Sequence, residues 1–513
     1  MSSNPDSRLC SPCPLTGEEL EVRLNKSPLN YRDVLALLGL SILSVGAYLF
    51  VSHFYYRLGF PLDDSWIHQT YARNLALRGE WAFLPGQPSN GSTAPLWSFL
   101  LAIGYWLRLA PYVWTYALGV VILWILAVLA ETAVRRFVPV YRPRFPWAGI
   151  LMTLEWHLVW AAGSGMETLL HATLVTLVLV RLAFERRNYF CLGLLIGLSM
   201  WVRPDGITLL GPAVATILLA ETSFKHRMRA LVNLCLGFCG LFALYLLFNL
   251  VLSGLPWPNT FYAKQAEYAV LQQIPLLKRL ALEAVQPLVG VGIALLPGAL
   301  ITAVTAIRRR AWGLLTGMAW FLGYASLYAW RLPVTYQHGR YIMPAMPVFF
   351  IWGLAGLAIF VLCTSSRWQW VLSTFWKLST GLILLVFWGR GGLAYAQDVA
   401  VIESEMVTVA HWVSANLPAN ALVATHDIGA MGYFSGHNLV DLAGLVSPDV
   451  VPFIRDESGL RKYLNERGVE YLVTFPDWYP SLTRDLQPVF QTGSPYTPTL
   501  GEENMVVYRW SNP

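Results

Sequence analysis

The sequence predicts a polytopic membrane protein that is mainly α-helical, with a small α/β domain at its C-terminal end. Of 513 residues, 56% are hydrophobic and only 13% are charged, whereas soluble proteins carry about a quarter charged residues. The mean hydropathy is +0.49. Apolar runs recur along the chain, and about 20 apolar residues suffice to cross roughly 30 Å of hydrocarbon. From Tyr395 onward, helix and strand signals alternate instead, which predicts a small α/β domain. The expected elements are an amphipathic helix at Glu403–Leu417, strands at Ala421–Thr425, Leu439–Leu442 and Tyr471–Phe475, and a helix at Ser458–Arg467.

The N-terminal residues 1–32 are polar and rich in Pro, Ser and Glu, and they are expected to form a cytoplasmic tail. No small-residue cleavage site precedes the first apolar run, so that run is expected to be a retained span rather than a signal peptide. Cys10 and Cys13 form a single C-x-x-C in the tail. Because one such pair supplies only half of a tetrahedral zinc site, no metal site is expected there.

Basic clusters between the apolar runs indicate the topology. Under the positive-inside rule they mark cytoplasmic loops, and they are not taken as a nucleic-acid-binding feature. The clusters contain Arg135, Arg136, Arg142, Arg144, Arg186, Arg187, Lys225, Arg227, Arg229, Arg308, Arg309, Arg310 and Arg367. About eleven spans are expected, at about 34–54, 112–134, 146–162, 166–184, 189–202, 206–221, 229–253, 285–307, 311–330, 343–363 and 372–392.

The same rule fixes the role of residues 95–110, which are apolar but short. If they crossed the membrane, every later basic cluster would face the outside, so they are expected to lie in the outer interface. The predicted organisation is a transmembrane domain at 33–393, with a first outer loop at 55–111, and an extracytoplasmic α/β domain at 394–513. The unusual polar motifs in the loops then all fall on the outer side.

Asp63 and Asp64 are adjacent carboxylates in this outer loop, where a short helix is expected to begin. Helix capping explains such residues. Alternatively, one of them accepts a proton from an attacking hydroxyl, which is typically worth ~10²–10⁴-fold in rate. The other would then cap the helix, bind a cation or orient an acceptor. Since adjacent residues at a helix start point in different directions, only one is expected to face a cavity.

Three cations depart from the positive-inside rule because they lie in outer connections: Arg203, Lys264 and Arg340. Snorkelling at span ends is one explanation. If they converge beside the carboxylates, they would suit a lipid-linked phosphate, since Arg binds phosphate oxygens in a bidentate manner. Arg73, on the helix after the aspartates, is a weaker candidate for the same role.

Further outer residues are candidates for substrate binding. Trp and Tyr are enriched at membrane interfaces in any case, which explains the aromatic members equally well. Asp205 is expected to cap the span that starts at Gly206. The candidates are Trp66, His68, Tyr71, Arg73, Glu167, Asn259, Tyr262, His338 and Tyr341.

The segment PLDDSWIHQTYARNLALRGEWAF resembles the start of the GT-C family of polytopic glycosyltransferases, and it is most similar to the terminal arabinofuranosyltransferase branch. NGSTAPLWSFLLA stands where that branch has a turn and an apolar helix. SGMETLL, RPDG, LPWPNTFYAK, GRYIMPAMP and DIGAMGYFSGHNLVDLAGLVSP follow in the order found in relatives. The resemblance therefore covers the chain after residue 32.

The resemblance implies an inverting transferase of the bacterial plasma membrane that takes a sugar from a polyprenyl-phosphate donor. Asp63 would be the general base and Asp64 the second carboxylate, with an envelope glycan, lipid or protein as the acceptor. Ser65-Trp66 and His68-Gln69-Thr70 depart from the family pattern, so the sugar and the acceptor are not carried over: arabinose in particular is not implied, and the enzyme is expected to be a hexosyl- or a pentosyltransferase. No cofactor is expected with certainty: Mg²⁺, Mn²⁺ or Ca²⁺ would suit the carboxylates, but no metal motif calls for one.

Two other functions are compatible with a polytopic chain. A transporter or flippase for a lipid-linked or sugar substrate would use charged residues along a translocation path. Against it, the spans lack signs of inverted repeats, and the polar motifs lie on one face. The other alternative is a non-catalytic subunit of an envelope assembly.

Overall fold

The computed structural model describes residues 29–141, 143–184, 188–364 and 366–511. The described part is mainly helical with one small mixed sheet, so the predicted fold class is confirmed. Most of the predicted polar tail, including Cys10 and Cys13, lies outside the described residues, as do Arg142, Arg186 and Arg187 of the basic clusters.

The helical part of the chain precedes residue 417. Its helices are α1 (Tyr31–Tyr55), α2 (Asp64–Arg78), α3 (Pro95–Trp106), α4 (Pro111–Phe137), α5 (Trp147–Leu154), α6 (Trp156–Gly163), α7 (Thr168–Ala183), α8 (Tyr189–Val202), α9 (Leu210–Ala220), α10 (Phe224–Ser253), α11 (Asn259–Glu267), α12 (Leu276–Val285), α13 (Val291–Arg309), α14 (Trp312–Arg331), α15 (Met346–Leu362), α16 (Arg367–Ile402) and α17 (Thr408–Asn416).

Several of these helices identify an integral membrane protein. Among the described residues, the stretches long and apolar enough to cross a membrane number six: Tyr31–Tyr55, Pro111–Phe137, Phe224–Ser253, Val291–Arg309, Tyr336–Leu362 and Arg367–Asn416. Others are shorter because the chain breaks within apolar sequence, at Glu155 between α5 and α6 and at Pro204 after α8. The predicted number of about eleven spans stays a prediction.

The first loop contains two short helices and a small hairpin of β1 (Ala82–Leu84) and β2 (Gln87–Pro88). Residues 95–110, which were expected to lie in the interface, form the 12-residue α3. At 1.5 Å per residue it is about 18 Å long, too short to cross the hydrocarbon. α3 packs along α2, where Ser98 Oγ lies 3.0 Å from His68 Nδ1.

The C-terminal unit is joined to the membrane part by one continuous helical stretch. α16 passes through a π-helical turn at Glu403–Val407 into α17, so the predicted boundary at 393/394 lies inside a helix of 50 residues. The amphipathic helix predicted before Pro418 is the last part of this stretch. A sheet follows, with β3 (Leu422–Thr425), β4 (Asn438–Asp441), β5 (Tyr471–Thr474), β6 (Gln487–Gln491) and β7 (Val506–Arg509).

The sheet order is β4-β3-β5-β7-β6, with β3 parallel to β4 and β5, and β7 antiparallel to β5 and β6. The three predicted strands are present, as is the predicted helix between β4 and β5, α18 (Glu457–Arg467). β6 and β7 were not predicted. β6 is an exposed edge strand with Pro488 inside it, so it lacks the apolar pattern that marks a buried strand.

Candidate active site

Asp63 and Asp64 lie at the start of α2 and point in different directions. α2 begins at Asp64, and the Asp63 side chain makes no capping hydrogen bond to it. Simple helix capping therefore does not account for Asp63. One carboxylate contacts the C-terminal unit, and the other lines a cavity at the end of the helical bundle, as expected for adjacent residues at a helix start.

Asp63 is bonded to the backbone of the C-terminal unit. Its Oδ2 accepts the Gly429 N–H at 2.7 Å, and its Oδ1 accepts the Ala430 N–H at 2.8 Å. Burial and the nearby charge of Asp427 raise the pKa of Asp63, and the two backbone N–H groups offset only part of that rise. Asp63 does not line the cavity, so the structure does not place it where its expected role as base requires.

Asp64 projects into the cavity between two cations. Its Oδ2 accepts from Arg340 Nη2 at 2.8 Å and lies 3.2 Å from Lys264 Nζ. Burial alone would raise the pKa of Asp64, but the charges of Lys264 and Arg340 hold it well below its usual range. Asp64 is therefore ionised at neutral pH and held in one position.

The cavity has a volume of about 350 Å³. Its polar lining combines carboxylates and cations that come from six separate places along the chain, and most of the remaining wall is apolar. The charged and aromatic polar members are Asp64, His68, Glu167, Arg203, Asp205, Lys264, Arg331, Arg340, Tyr328 and Tyr341.

Positive charge exceeds negative charge around Asp64. Lys264 and Arg340 share a single carboxylate oxygen, so one of the two positive charges lacks a counter-charge at this spot. The Tyr341 hydroxyl lies 3.2 Å from Arg340 Nη2 and 3.4 Å from Lys264 Nζ, but it adds no formal charge. Arg340 is only 5% exposed, and its Nη1 has no hydrogen-bond partner within the described chain. The site therefore has the charge and the free donor to receive an anion.

Arg203, the third cation for which phosphate binding is expected, belongs to a neighbouring network in which its positive charge already faces two carboxylates, Glu167 and Asp205. It donates through Nε to Asp205 at 3.3 Å, through Nη1 to Glu167 at 3.5 Å and through Nη2 to Tyr328 at 2.9 Å. Asp205 also accepts from the Tyr324 hydroxyl at 2.6 Å. Arg203 thus has few donors to spare. Asp205 pairs with Arg203 and does not act as the expected helix cap.

Two predicted substrate residues, His68 and Glu167, lie together on the cavity wall. His68 Nε2 is 3.5 Å from Glu167 Oε2, and His68 Nδ1 is 3.0 Å from the Ser98 hydroxyl. Tyr341 also lines the cavity, as expected. These three side chains face the space that a substrate would occupy.

Three predicted substrate residues on α2 serve packing instead. Trp66 is buried among aromatic rings, with Phe434 4.6 Å away. Tyr71 is buried and accepts the Gly91 N–H at 2.9 Å. Arg73 donates to the Tyr433 carbonyl at 2.7 Å. None of the three lines the cavity, because they lie on the face of α2 that packs against the loop or the C-terminal unit.

The last three predicted residues lie beside the cavity rather than in its wall. Asn259 starts α11 and donates its backbone N–H to the Asn90 carbonyl at 3.0 Å. Tyr262 packs edge-on against Phe261, with the ring centres 5.4 Å apart. His338 pairs through Nε2 with Asp398 at 2.7 Å. Each therefore stabilises an element that carries a cavity residue.

Sequence reasoning missed the two tyrosines that complete the Arg203 network. Tyr324 and Tyr328 are four residues apart, so they share one face of α14, and both hydroxyls reach Asp205 Oδ2. That spacing within an apolar span was the available signal. Leu445 of the C-terminal unit also lines the cavity, and no local pattern marks it.

A second cavity of about 300 Å³ adjoins the first, sharing Thr208 and Leu327 in its lining. It lies between α9 and α14, and its wall consists mainly of small and apolar residues. The lining residues are Thr208, Gly211, Pro212, Ala215, Thr316, Ala319, Trp320, Gly323, Tyr324 and Leu327. An apolar groove therefore runs between two helices from the charged site.

The carboxylates of the site are all paired with cationic side chains. Asp64 is bound by Lys264 and Arg340, and Glu167 and Asp205 both pair with Arg203. No group of three His, Cys, Asp or Glu with metal-binding geometry occurs in the part of the chain that the structure describes. A divalent cation would compete with arginine or lysine for each of these carboxylates.

The C-terminal unit is similar to one protein family, and the whole chain is similar in fold to solved structures. A family profile described as a domain of unknown function, DUF8728, matches residues 395–508. No curated protein matches the sequence. Three solved structures are similar over most of this chain, at sequence identities of 10% to 16%.

The first is ArnT from Cupriavidus metallidurans bound to undecaprenyl phosphate, with 14% identity, a TM-score of 0.52, and 92% of this chain and 98% of that one covered. The second is the Archaeoglobus fulgidus oligosaccharyltransferase, with 10% identity and a TM-score of 0.58. The match covers 86% of this chain and 70% of that one. The arabinofuranosyltransferase AftD from Mycobacteria has 16% identity and a TM-score of 0.50; 95% of this chain matches 42% of AftD. All three are GT-C glycosyltransferases, so the GT-C fold that the sequence indicated is confirmed.

Proposed function

We propose that this protein is an inverting membrane glycosyltransferase that transfers a sugar from a polyprenyl-phosphate donor to an acceptor hydroxyl. The acceptor is a glycan, lipid or protein of a bacterial cell envelope, reached from the extracytoplasmic side of the plasma membrane. The observation that carries the proposal is the position of Asp64 between Lys264 and Arg340, in a cavity that adjoins an apolar groove.

The surplus positive charge supports a phosphate at this site. A polyprenyl-phosphate sugar is a phosphodiester with one negative charge, which matches the one positive charge that Lys264 and Arg340 hold in excess. Arg340 bridges the two halves of the site: Nη2 binds Asp64, and Nη1 is left to bind a phosphate oxygen. Charge-assisted hydrogen bonds of this kind are about twice as strong as neutral ones.

The adjoining groove supports a prenyl chain. Arg340 and Leu327 line the same cavity, and Leu327 also lines the groove between α9 and α14, so a carrier with its phosphate at Arg340 has a continuous path into that groove. Gly211 and Gly323 line this groove, and a Cβ added at either would have nothing within 4 Å. The groove is thus apolar and open enough for an isoprenoid chain.

In the proposed reaction the acceptor oxygen attacks the anomeric carbon from the side opposite the phosphate. The bond from that carbon to the phosphate oxygen breaks, and its electron pair stays on the lipid phosphate. Lys264 and Arg340 stabilise the charge that develops there. Asp64 takes the proton of the acceptor hydroxyl. Asp64 replaces Asp63 as the assigned base because Asp64 lines the cavity.

Donor binding is expected to raise the pKa of Asp64. In the free enzyme, Lys264 and Arg340 hold the pKa of Asp64 low despite its burial. A bound phosphate brings a negative charge and draws both cations toward itself, so the pKa of Asp64 rises in the complex. The donor therefore turns a weak base into a stronger one.

The expected rise in the pKa of Asp64 on donor binding can be seen by comparing two pH profiles of lipid-phosphate release. The kcat/KM profile reports the free enzyme and the kcat profile reports the complex. We expect the acid limb of kcat to lie at a higher pH than the acid limb of kcat/KM, since activity is lost on protonation of Asp64 and its pKa is higher in the complex. Coincident limbs, or limbs in the opposite order, would contradict the assigned role of Asp64.

The groove is tested by Gly323→Leu, which should fill it without a clash against protein. We expect a rise in KM of about tenfold or more for a long-prenyl donor, roughly the loss of one buried leucine-sized contact of 1.5–3 kcal/mol. A donor with a two-isoprene chain should be affected by less than twofold. Gly240→Leu on α10, another open position, is the matched control. Equal effects on both donors would place the prenyl chain elsewhere.

The function itself is tested by incubating the purified protein with polyprenyl-phosphate sugars and an envelope extract as acceptor. Free polyprenyl phosphate is the readout because it is released whichever acceptor is used. We expect release with at least one sugar, and release that depends on the acceptor extract. Tight binding of lipid phosphate with no release from any donor would contradict the proposal.

A further inference from the structure

We propose that the C-terminal unit, residues 395–508, is a positioning element of the active site. Its residues 427–435, called here the docking segment, hold the face of α2 opposite Asp64, and the same unit holds α11, which carries Lys264. This gives a function to a domain described only as unknown, and it rests on the transferase reaction proposed above.

The first contact of the docking segment is made by Asp63. Both of its carboxylate oxygens accept backbone N–H groups, from Gly429 at 2.7 Å and Ala430 at 2.8 Å. The approach is so close that a Cβ on Gly429 would lie 2.0 Å from the Asp63 carbonyl oxygen. Only glycine fits at position 429, so the contact constrains the backbone at the residue before Asp64.

The second contact is made by Arg73, almost three helical turns beyond Asp63 along α2. Its Nη1 donates to the Tyr433 carbonyl at 2.7 Å, and its Nη2 lies 3.3 Å from the Gly432 carbonyl. The guanidinium also lies over the Tyr433 ring, 4.4 Å from the ring centre. Arg73 therefore binds the docking segment through two backbone carbonyls and a cation–π contact.

The third contact is aromatic and lies between the other two. Trp66 packs against Tyr433 and Phe434, with ring centres 4.7 and 4.6 Å apart. The Tyr105 hydroxyl of α3 donates to the Tyr433 hydroxyl at 3.1 Å. Burying these rings excludes water from the two polar contacts, which strengthens them.

Helix geometry connects these contacts to the chemistry. Asp63, Trp66 and Arg73 are three and seven residues apart, so they lie on one face at the start of and along α2. Asp64 and His68 are four residues apart and lie on another face, the one that lines the cavity. A shift of the docked face therefore moves Asp64 and His68 together.

The C-terminal unit also holds the element that supplies Lys264. Arg455 Nε donates to the Glu267 carbonyl at the end of α11 at 2.8 Å, and His426 Nε2 lies 3.4 Å from Glu267 Oε1. The unit thus contacts both α2 and α11, and through them it sets the distance between Asp64 and Lys264. Arg340 follows α14, on an element that these contacts do not involve.

The test is Gly429→Ala, whose methyl group forces the docking segment and α2 apart. A misplacement of about 1 Å can cost ~10²-fold in rate. We expect kcat for lipid-phosphate release to fall about 100-fold, while the affinity for polyprenyl phosphate, which depends on Arg340, changes less than threefold. Gly493→Ala, at an open position of the same unit, is the matched control and should keep wild-type kcat.

Hydrogen exchange provides a readout that does not depend on turnover. We expect faster amide exchange in residues 64–78 of Gly429→Ala than in Gly493→Ala. If wild-type protein shows no turnover, the proposed function fails, but this exchange comparison still tests the docking. Wild-type kcat together with wild-type exchange in Gly429→Ala would overturn the inference.

Asp63→Asn is the second variant, in case Gly429→Ala does not fold. Its amide oxygen accepts only one of the two N–H groups well, so kcat should fall with little change in the affinity for lipid phosphate. Because Asp63 acts through position, Asp63→Glu should recover part of the lost kcat. A loss of lipid-phosphate affinity equal to the loss of kcat would instead place Asp63 in the donor site and contradict a positioning role.

Discussion

Replacing Asp64 by Asn is expected to lower kcat for sugar transfer by about 10²–10⁴-fold, the usual worth of general-base catalysis. The amide has nearly the shape of the carboxylate but cannot take the acceptor proton. Lys264 and Arg340 would also lose the counter-charge that they share in the cavity. The affinity for polyprenyl phosphate should therefore stay the same or increase.

Two measurements on purified protein separate these effects. Release of lipid phosphate gives kcat, and equilibrium binding of polyprenyl phosphate gives Kd. Asp64→Glu keeps the charge and should retain part of the activity, whereas Asp63→Asn should lose less than Asp64→Asn. A variant Asp64→Asn that transfers sugar at the wild-type rate would remove Asp64 from the mechanism.

Replacing Arg340 by Gln is expected to weaken the binding of polyprenyl phosphate by about 10- to 100-fold. Hydrogen bonds to a charged group contribute about 1.5–3 kcal/mol each, which converts to that range. The variant loses the free Nη1 donor, and only Lys264 remains to balance Asp64 and the phosphate together. The kcat should fall as well, because Arg340 also stabilises the leaving group.

Binding of the product lipid phosphate measures this effect without turnover. Arg340→Lys should recover only part of the affinity, since an ammonium cannot bridge Asp64 and a phosphate with a planar fork. Arg467→Gln is the matched control, because it removes an exposed arginine that pairs with Asp449 at the same distance of 2.8 Å. Wild-type affinity in Arg340→Gln would show that the phosphate binds elsewhere.

The place of the aspartate pair was predictable from the sequence, but the roles of its two members were not. The pattern around Asp63 and Asp64 marks a helix start after an apolar run, and the basic clusters predict that this loop lies on the same side as the loops that carry Arg203, Lys264 and Arg340. Which carboxylate faces the cavity depends on what packs against the other. That partner, Gly429, lies 366 residues further along the chain, and no local pattern reports it.

The convergence of cations was also predictable, and their pairing was not. Lys264 and Arg340 do meet at Asp64, but Arg203 is bound to Glu167, Asp205 and a tyrosine of α14. The sequence shows which charges lie near one end of the bundle. It does not show how carboxylates are shared among them, because that depends on distances of a few ångströms between helices that are far apart in sequence.

Aromatic residues were the least predictable part of the site. Trp66 and Tyr71 are of the residue types that often bind sugars, yet both are buried in packing contacts. Trp and Tyr are common at membrane interfaces and at contacts between structural units alike. Which residues face the cavity depends on how α2 is rotated about its own axis between the cavity and the C-terminal unit, and the local sequence does not report that rotation.

Whether Asp64 is the base of a sugar-transfer reaction can be measured by the release of polyprenyl phosphate from wild type and Asp64→Asn side by side, across a panel of polyprenyl-phosphate sugars. We expect acceptor-dependent release by wild type with at least one donor, and a loss of about 10²-fold or more in Asp64→Asn with lipid-phosphate binding intact. A transferase with Asp64 as its base is contradicted if wild type releases nothing from any donor but moves the lipid-linked sugar across proteoliposomes, or if Asp64→Asn releases lipid phosphate as fast as wild type.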